Sequence, residues 1–221
     1  MLKRIYYLWH RKISERRHGR EEASFGYWQD KVRSAAFRLS DLKEGCILEV
    51  GCGEGLFLQK AAGNNPRLFF WGVDISAAQL ARAKERLGFA GNNSLSLAQA
   101  DATRLPFKDG VFDRVICINV LLNLPREEMV PEVLSEIMRV CKKRGSIIFD
   151  IRNKANPLLY LKYKLVRYYD GTIDSQHLKM HWLSHIERIL EKLGLAVARK
   201  ISIGFPFSSL APIVVIEARR K

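Results

Sequence analysis

The stretch Leu48-Glu49-Val50-Gly51-Cys52-Gly53-Glu54-Gly55 constrains this chain more than any other part of it. An apolar run passes into a carboxylate and then into glycines at alternate positions, and Leu56-Phe57-Leu58-Gln59-Lys60 follows as the opening of a helix. Glycine permits tight turns and lets a ligand approach the backbone closely, so strand, glycine turn and helix together make a nucleotide-binding corner. Dinucleotide folds place two residues between the second and third glycines of G-x-G-x-x-G. Here Leu56 stands where that third glycine belongs, and Gly55 comes one residue early. The dinucleotide pattern fails.

Three further pieces follow in order. Leu68-Phe69-Phe70 runs into Trp71-Gly72-Val73-Asp74-Ile75-Ser76, which puts a carboxylate about 20 residues past the glycines, where an acid ending the next strand meets ribose hydroxyls. Ala98-Gln99-Ala100-Asp101-Ala102 ends a third run, and Phe112 to Leu121 reads as a fourth strand, followed by Leu122-Asn123-Leu124-Pro125. The E-x-G-x-G-x-G corner, the two acids and the F-D-x-V strand resemble class I S-adenosylmethionine-dependent methyltransferases, in the small-molecule subgroup of methyltransferase types 11 and 25. The partial match of Arg139-Val140-Cys141-Lys142-Lys143-Arg144-Gly145 to the family's R-V-L-K-P-G-G turn adds to it. The resemblance implies cofactor contacts from Glu49, Gly51, Cys52, Gly53, Asp74, Ile75, Asp101, Ala102 and Asn119, with Asp101 toward the adenine amino group.

Each residue also has a plainer reading. The glycines suit a tight turn, Asp101 suits a loop, and Glu49 stands as an incidental acid unless it faces the cofactor's ammonium and sulfonium charges. Asp74 would serve as a helix cap, but Ser76-Ala77-Ala78-Gln79 already offers a capping box, which frees Asp74 for ribose. Cys52 reads as a small residue that fits the loop.

From Cys46 onward strand and helix alternate, which argues for a parallel sheet with right-handed crossovers. The expected fold is α/β: a Rossmann-like, seven-stranded, mostly parallel sheet with a C-terminal antiparallel strand pair and helices on both faces. Residues 1–40 read as a basic helical N-terminal extension or lid, and 41–221 as the methyltransferase domain, with 153–183 an acceptor-side insertion. Within the extension, Arg11 to Arg20 reads as solvated, and Tyr27 to Leu39 as a helix whose Tyr27, Trp28, Val32, Ala35, Ala36 and Leu39 share an apolar face. Crossover helices are expected at Ser76–Leu87 and Glu127–Val140, and the fifth strand at Ser146–Ile151. The insertion reads as an amphipathic helix with Leu158, Leu161 and Leu165 inward. Ser184-His185-Ile186-Glu187 reads as a capping box opening a helix that stops at Gly194, before strands at Leu195–Ile203 and Ile213–Ala218.

Charge divides the chain in the same way. Its net charge of +14 splits into +6 over residues 1–40 (10 Lys/Arg against 4 Asp/Glu), zero over 41–150 (14 against 14) and +8 over 151–221 (13 against 5). The flanks, rather than the core, therefore face any anionic partner. The four cysteines lack paired metal spacing, no apolar run approaches a membrane span, and the N-terminus lacks a signal-peptide pattern. A cytoplasmic setting, with peripheral contact to a membrane, is expected. His177, His181 and His185 are four apart, but the break at Ser184 argues against a metal face and no metal is expected. If 177–183 is extended, His181 is the candidate substrate-facing acid or base; no other catalytic residue is indicated.

The cofactor implied by the resemblance is S-adenosyl-L-methionine, with S-adenosyl-L-homocysteine as product. The reaction is an in-line displacement, for which alignment of the two reactants supplies much of the rate. The expected acceptor is a small, lipid-linked or glycan-linked molecule, with Met1–Lys12 and Leu158–Tyr169 meeting an anionic membrane. The alternatives are an RNA methyltransferase using the basic flanks, and a non-catalytic cofactor-binding protein of the same fold. The D/N-P-P-Y/F motif of amino-nitrogen nucleic-acid methylases is absent, since the fourth strand ends in Asn119-Val120-Leu121-Leu122. Calorimetric titration should give tight S-adenosylhomocysteine binding and no NADH binding; the reverse would remove the resemblance.

Overall fold

A computed structural model describes residues 26–41, 43–62, 67–88, 94–169, 179–205 and 208–221, without the side chains of 26–27, 165–169 and 208. The readings made for Met1–Lys12, Arg11–Arg20, the Tyr27 side chain, the Leu165 side chain and His177 lie outside the described residues.

The elements run α1 (Gly26–Ser40), β1 (Gly45–Val50), α2 (Leu56–Ala62), β2 (Leu68–Asp74), α3 (Ala77–Gly88), β3 (Leu95–Gln99), β4 (Phe112–Cys117), α4 (Met129–Val140), β5 (Cys141–Arg152), α5 (Pro157–Tyr169), α6 (Leu183–Lys192), β6 (Leu195–Ile203) and β7 (Ile213–Arg220). The seven strands form one sheet in the order β3-β2-β1-β4-β5-β7-β6. Neighbours from β3 to β5 are parallel, and β7 pairs antiparallel with both β5 and β6. This is the fold expected from the sequence. Strand order reverses at β1, which lies between β2 and β4, and open α/β sheets bind ligands beyond the carboxyl ends of the strands at that point.

Period-two alternation sorts the core into two layers. Leu48, Val115, Ile147, Phe149 and Ile216 pack with Val133, Leu134 and Ile137 of α4 and Ile186 and Leu190 of α6. Ile47, Ile116, Ile148 and Val215 face the other way, against Val32, Ala35 and Ala36 of α1, Phe57 and Leu58 of α2 and Ala83 of α3. The apolar face expected for the first helix is therefore real at Val32, Ala35, Ala36 and Leu39, whereas Trp28 stays partly exposed. Asp150 and Arg152 continue the face of Ile148, so two charged residues point into the α1 layer.

Four local expectations are corrected. Strand β4 stops at Cys117, not Leu121, because Asn119 turns left-handed (φ 58°) and Leu121–Asn123 forms a 3-10 turn. Strand β5 begins at Cys141 instead of following a free turn. Phe112 pairs with Cys141 and Arg114 with Ser146, so the intervening β5 residues bulge out of register. Helix α6 starts at Leu183 with Trp182 as its N-cap and no side-chain capping bond. Ser184 thus falls inside the first turn, an arrangement that packs Leu183 against the core. Helix α5 is rotated relative to expectation. Leu158 and Leu161 are more than half exposed, while Leu159 and Tyr163 are half-buried. The segment Leu158-Leu159-Tyr160-Leu161-Lys162-Tyr163 carries two overlapping apolar stripes, and spacing alone cannot choose between them. Asn156 chooses: its Oδ1 accepts the Leu159 N–H (2.6 Å), and its Nδ2 donates to the carbonyls of Leu210 (2.7 Å) and Phe205 (3.3 Å).

A buried carboxylate joins the antiparallel edge. Glu217 on β7 is fully buried and accepts from Arg199 Nε (2.5 Å) and from Arg219 Nη2 (2.8 Å) and Nε (3.1 Å). Burial alone would raise its pKa, but the hydrogen bonds from Arg199, Arg219 and Ser146 together with the Arg219 charge hold it below the ordinary carboxylate value. Its stabilisation is therefore present above the unfolded pKa, and it is lost as pH falls through the folded value. Glu217→Gln should cost about 1.5–3 kcal/mol at neutral pH. That gap from wild type should narrow in urea denaturation run at acid pH.

Candidate functional site

The carboxyl ends of β1 to β5 carry the polar residues that the core excludes. Gly51, Gly53 and Gly55 all adopt positive φ (72°, 52° and 76°), a conformation that side-chain-bearing residues rarely take. At Gly51 a Cβ would lie 2.3 Å from Val120 Cγ2, so the glycine lets the loop after β1 close onto the turn after β4. At Gly53 a Cβ would meet nothing within 4 Å, and the backbone borders open space. One glycine is required by a neighbour; the other leaves its surface bare for a ligand.

Asp74, at the end of β2, holds this loop in place. Its Oδ2 accepts the Gly53 N–H (2.8 Å) and its Oδ1 accepts the Ser76 N–H (2.9 Å). Ser76 in turn accepts the Gln79 N–H (3.3 Å), the capping role read from the sequence. An ionised carboxylate has about four acceptor positions, so each Asp74 oxygen retains capacity for a hydroxyl. Ile75 beside it is 65% exposed, an apolar surface at the crevice edge. At the end of β3, Asp101 Oδ1 accepts both the N–H and the hydroxyl of Thr103 (2.8 Å each), which hold its pKa below the ordinary value. Ala102 follows, half-buried.

Glu49 is 3% exposed, and its Oε2 has no hydrogen-bond partner. Burial pushes its pKa well up, opposed by Arg33 of α1 and reinforced by Asp74. Burial likewise raises the Cys52 thiol above its usual range, with Glu49 and Asp74 adding to the effect, so this loop cysteine is an unreactive thiol.

The turn after β4 is organised by residues that the sequence reading passed over. The Asn119 N–H donates to Asp150 Oδ1 (2.5 Å), Arg152 Nη2 donates to Asn119 Oδ1 (2.8 Å), and Arg152 Nη1 donates to Asp150 Oδ2. Asp150 is fully buried and Arg152 nearly so. Burial raises the Tyr163 phenol, and Arg152, hydrogen-bonded to it, pulls the other way, which links the network to α5. The signal was present: Asp150 and Arg152 interrupt an apolar strand two residues apart, and therefore on one face.

His181 lies where an extended segment was expected, bridged to Asn153. Its N–H donates to the Arg152 carbonyl (2.8 Å) and its carbonyl accepts from Lys154 (3.0 Å). The ring does not line an open cleft. It is 1% exposed, with Nδ1 3.3 Å from Glu127 Oε1, and burial lowers its pKa despite the opposing pull of Glu127. Glu127, Lys154, Trp182, Ser184, His185 and Arg188 border a depression of about 360 Å³ at the start of α6, and no residue of the glycine loop lines it.

Strand reversal at β1, a glycine loop with one bare surface, and an acid ending β2 define a nucleotide-cofactor protein of the doubly wound class. A family model described as a methyltransferase domain matches residues 48–149. Phosphatidylethanolamine N-methyltransferase of Cereibacter sphaeroides is 32% identical over 148 residues, covering 66% of this chain and 70% of that one. Demethylmenaquinone methyltransferase of Bacillus subtilis is 32% identical over 125 residues, 55% of this chain and half of its own length. Magnesium protoporphyrin IX methyltransferase from Synechocystis PCC 6803, solved with S-adenosylhomocysteine bound, superposes with a TM-score of 0.70 at 22% identity, covering 99% of this chain and 100% of that one. The chain belongs to the class I S-adenosylmethionine-dependent methyltransferases. It is an enzyme of that activity, and its cofactor is S-adenosylmethionine. The bare surface at Gly53 and the orphaned Glu49 oxygen fit that cationic nucleoside.

Because burial raises the Glu49 pKa in the unliganded protein, a cofactor ammonium beside it should pull that pKa back down. S-adenosylhomocysteine affinity is then expected to rise with pH, by up to about tenfold per unit across the window above the ordinary carboxylate pKa. Glu49→Gln should flatten that dependence. Asp74→Ala should weaken binding about tenfold to a hundredfold at every pH, the loss of hydrogen bonds to a charged group. Calorimetry of the three proteins across pH checks both.

Proposed function

We propose that the enzyme methylates a small amphiphilic acceptor carried on a lipid, with Glu49, the glycine loop, Asp74, Ile75, Asp101, Ala102 and Asn119 holding the cofactor. Bound S-adenosylmethionine supplies an electrophilic methyl group on sulfur. That methyl would pass to the acceptor's lone pair, with the electron pair of the broken carbon–sulfur bond left on sulfur. A protonated acceptor would also release a proton, and a nucleophile that arrives deprotonated needs no base. Alignment is then the chain's main contribution. The Asn119–Asp150–Arg152 network fixes the wall opposite the glycine loop, the 153–183 segment forms the acceptor side, and residues 1–40 supply the cover.

The observation that carries the acceptor class is the outward rotation of α5. Leu158, Tyr160 and Leu161 are exposed beside the carboxyl edge, where a water-soluble acceptor would call for polar side chains. The names of the Cereibacter phosphatidylethanolamine enzyme and the Bacillus demethylmenaquinone enzyme, both acting on apolar-tailed molecules, support the same class. Incubation with methyl-labelled S-adenosylmethionine and separate lipid, soluble-metabolite and RNA fractions tests it. Label is expected in the organic phase. Label confined to RNA or to water-soluble product would overturn the lipid-linked reading, and absence of label in a protein that binds S-adenosylhomocysteine would favour an inert binder.

A further inference from the structure

We infer that the rim formed by α5, residues 204–205 and 208–210 and the start of α1 is a docking surface for an anionic lipid bilayer. It rests on the lipid-linked acceptor for its purpose, but not for its measurement.

The rim is one continuous surface. Asn156, at the start of α5, donates to the carbonyls of both Phe205 and Leu210. Gly204 abuts α1 so closely that a Cβ there would lie 2.9 Å from Trp28 Cζ3. Asn153 Nδ2, following Arg152, donates to the carbonyls of Ser209 and Ala211 (2.8 and 2.9 Å), which ties the rim to the carboxyl end of β5. On this frame Trp28, Leu158, Tyr160, Leu161, Phe205 and Leu210 all expose apolar surface, from 40% at Trp28 to 68% at Phe205. Scattered apolar residues on a surface are ordinary, but six on segments tied into one frame mark a contact surface.

Charge decides which partner. Residues 153–169 carry four Lys/Arg and no Asp/Glu, and residues 201–216 carry no charge at all. Lys162 and Lys164 are exposed on the same helix as Leu158 and Leu161, and Lys164 lies 6.0 Å from the centre of the Tyr160 ring. The acid nearest Trp28 in sequence, Asp30, pairs with Lys60 at 3.6 Å. Apolar and aromatic side chains interleaved with lysines, without carboxylates between them, match the interface of an anionic membrane: the apolar groups enter the headgroup boundary and the lysines meet lipid phosphates. Helix α5 lies in that plane instead of crossing it, since no helix among the described residues is long and apolar enough to span.

Vesicle co-sedimentation of the full chain at physiological salt tests the inference. Phosphatidylcholine vesicles containing phosphatidylglycerol should pellet the protein, and pure phosphatidylcholine should pellet far less. Replacing Leu158, Leu161 and Phe205 together by Ser should weaken partitioning about tenfold or more. Lys162→Gln and Lys164→Gln should each cost about fivefold. S-adenosylhomocysteine affinity, unchanged in all three variants, shows that they fold. Equal pelleting of wild type and the Ser variant would overturn the inference. So would absence of vesicle binding together with tight binding of an unstructured RNA oligonucleotide. A protein that docks as expected yet labels no lipid would leave the surface standing and remove the lipid-linked acceptor.

Discussion

The hydrogen bond from the Gly53 N–H to the Asp74 carboxylate is the contact on which the site depends. It joins the loop after β1 to the end of β2, and the other oxygen of the same carboxylate takes the first free N–H before α3. One side chain thus sets the spacing between a glycine loop with a bare surface and a strand end that offers acceptor oxygens. A charge-assisted bond to a backbone N–H is stronger than a neutral one. It also leaves the carboxylate oriented before any ligand arrives.

The second organising element is the buried pair of Asp150 and Arg152. Leaving one member of such a pair uncompensated costs about 3–5 kcal/mol, so the strand end, the Asn119 turn and α5 are bound to one geometry. The left-handed conformation at Asn119 is held by that network from both sides, through its backbone N–H and its side-chain oxygen. Asparagine tolerates this conformation better than most side chains do. Its tight fit against the glycine loop, with Val120 filling the space that a Cβ at Gly51 would need, connects the two halves of the crevice. The loop after β1 and the turn after β4 are therefore in direct contact.

Around this neutral centre the flanks carry the net charge and, among the described residues, most of the exposed large apolar side chains. The division follows from the sheet. Strands β1, β4 and the carboxyl half of β5 are largely buried, whereas α5 and residues 208–210 lie past the strand ends, with solvent on one side.

Most of the fold was legible because its signals are local. Alternating apolar runs marked the strands, and Gly51, Gly53 and Gly55 followed by Asp74 marked a nucleotide corner from spacing alone. Side-chain roles were less legible where two readings shared one pattern. Asp74 supports the loop through the Gly53 N–H, and the ring of His181 is enclosed. Asp150 and Arg152 went unnoticed because a charged pair inside a strand acquires meaning only when a neighbouring turn supplies the third partner.

The sequence by itself determined the order of elements, the glycine corner and the family, since these depend on residues adjacent in the chain. Tertiary structure alone decided the rotation of α5, the short β4 and the network at Asn119. Each of these turns on a hydrogen bond between residues 31 or more positions apart, and no local pattern encodes such a contact.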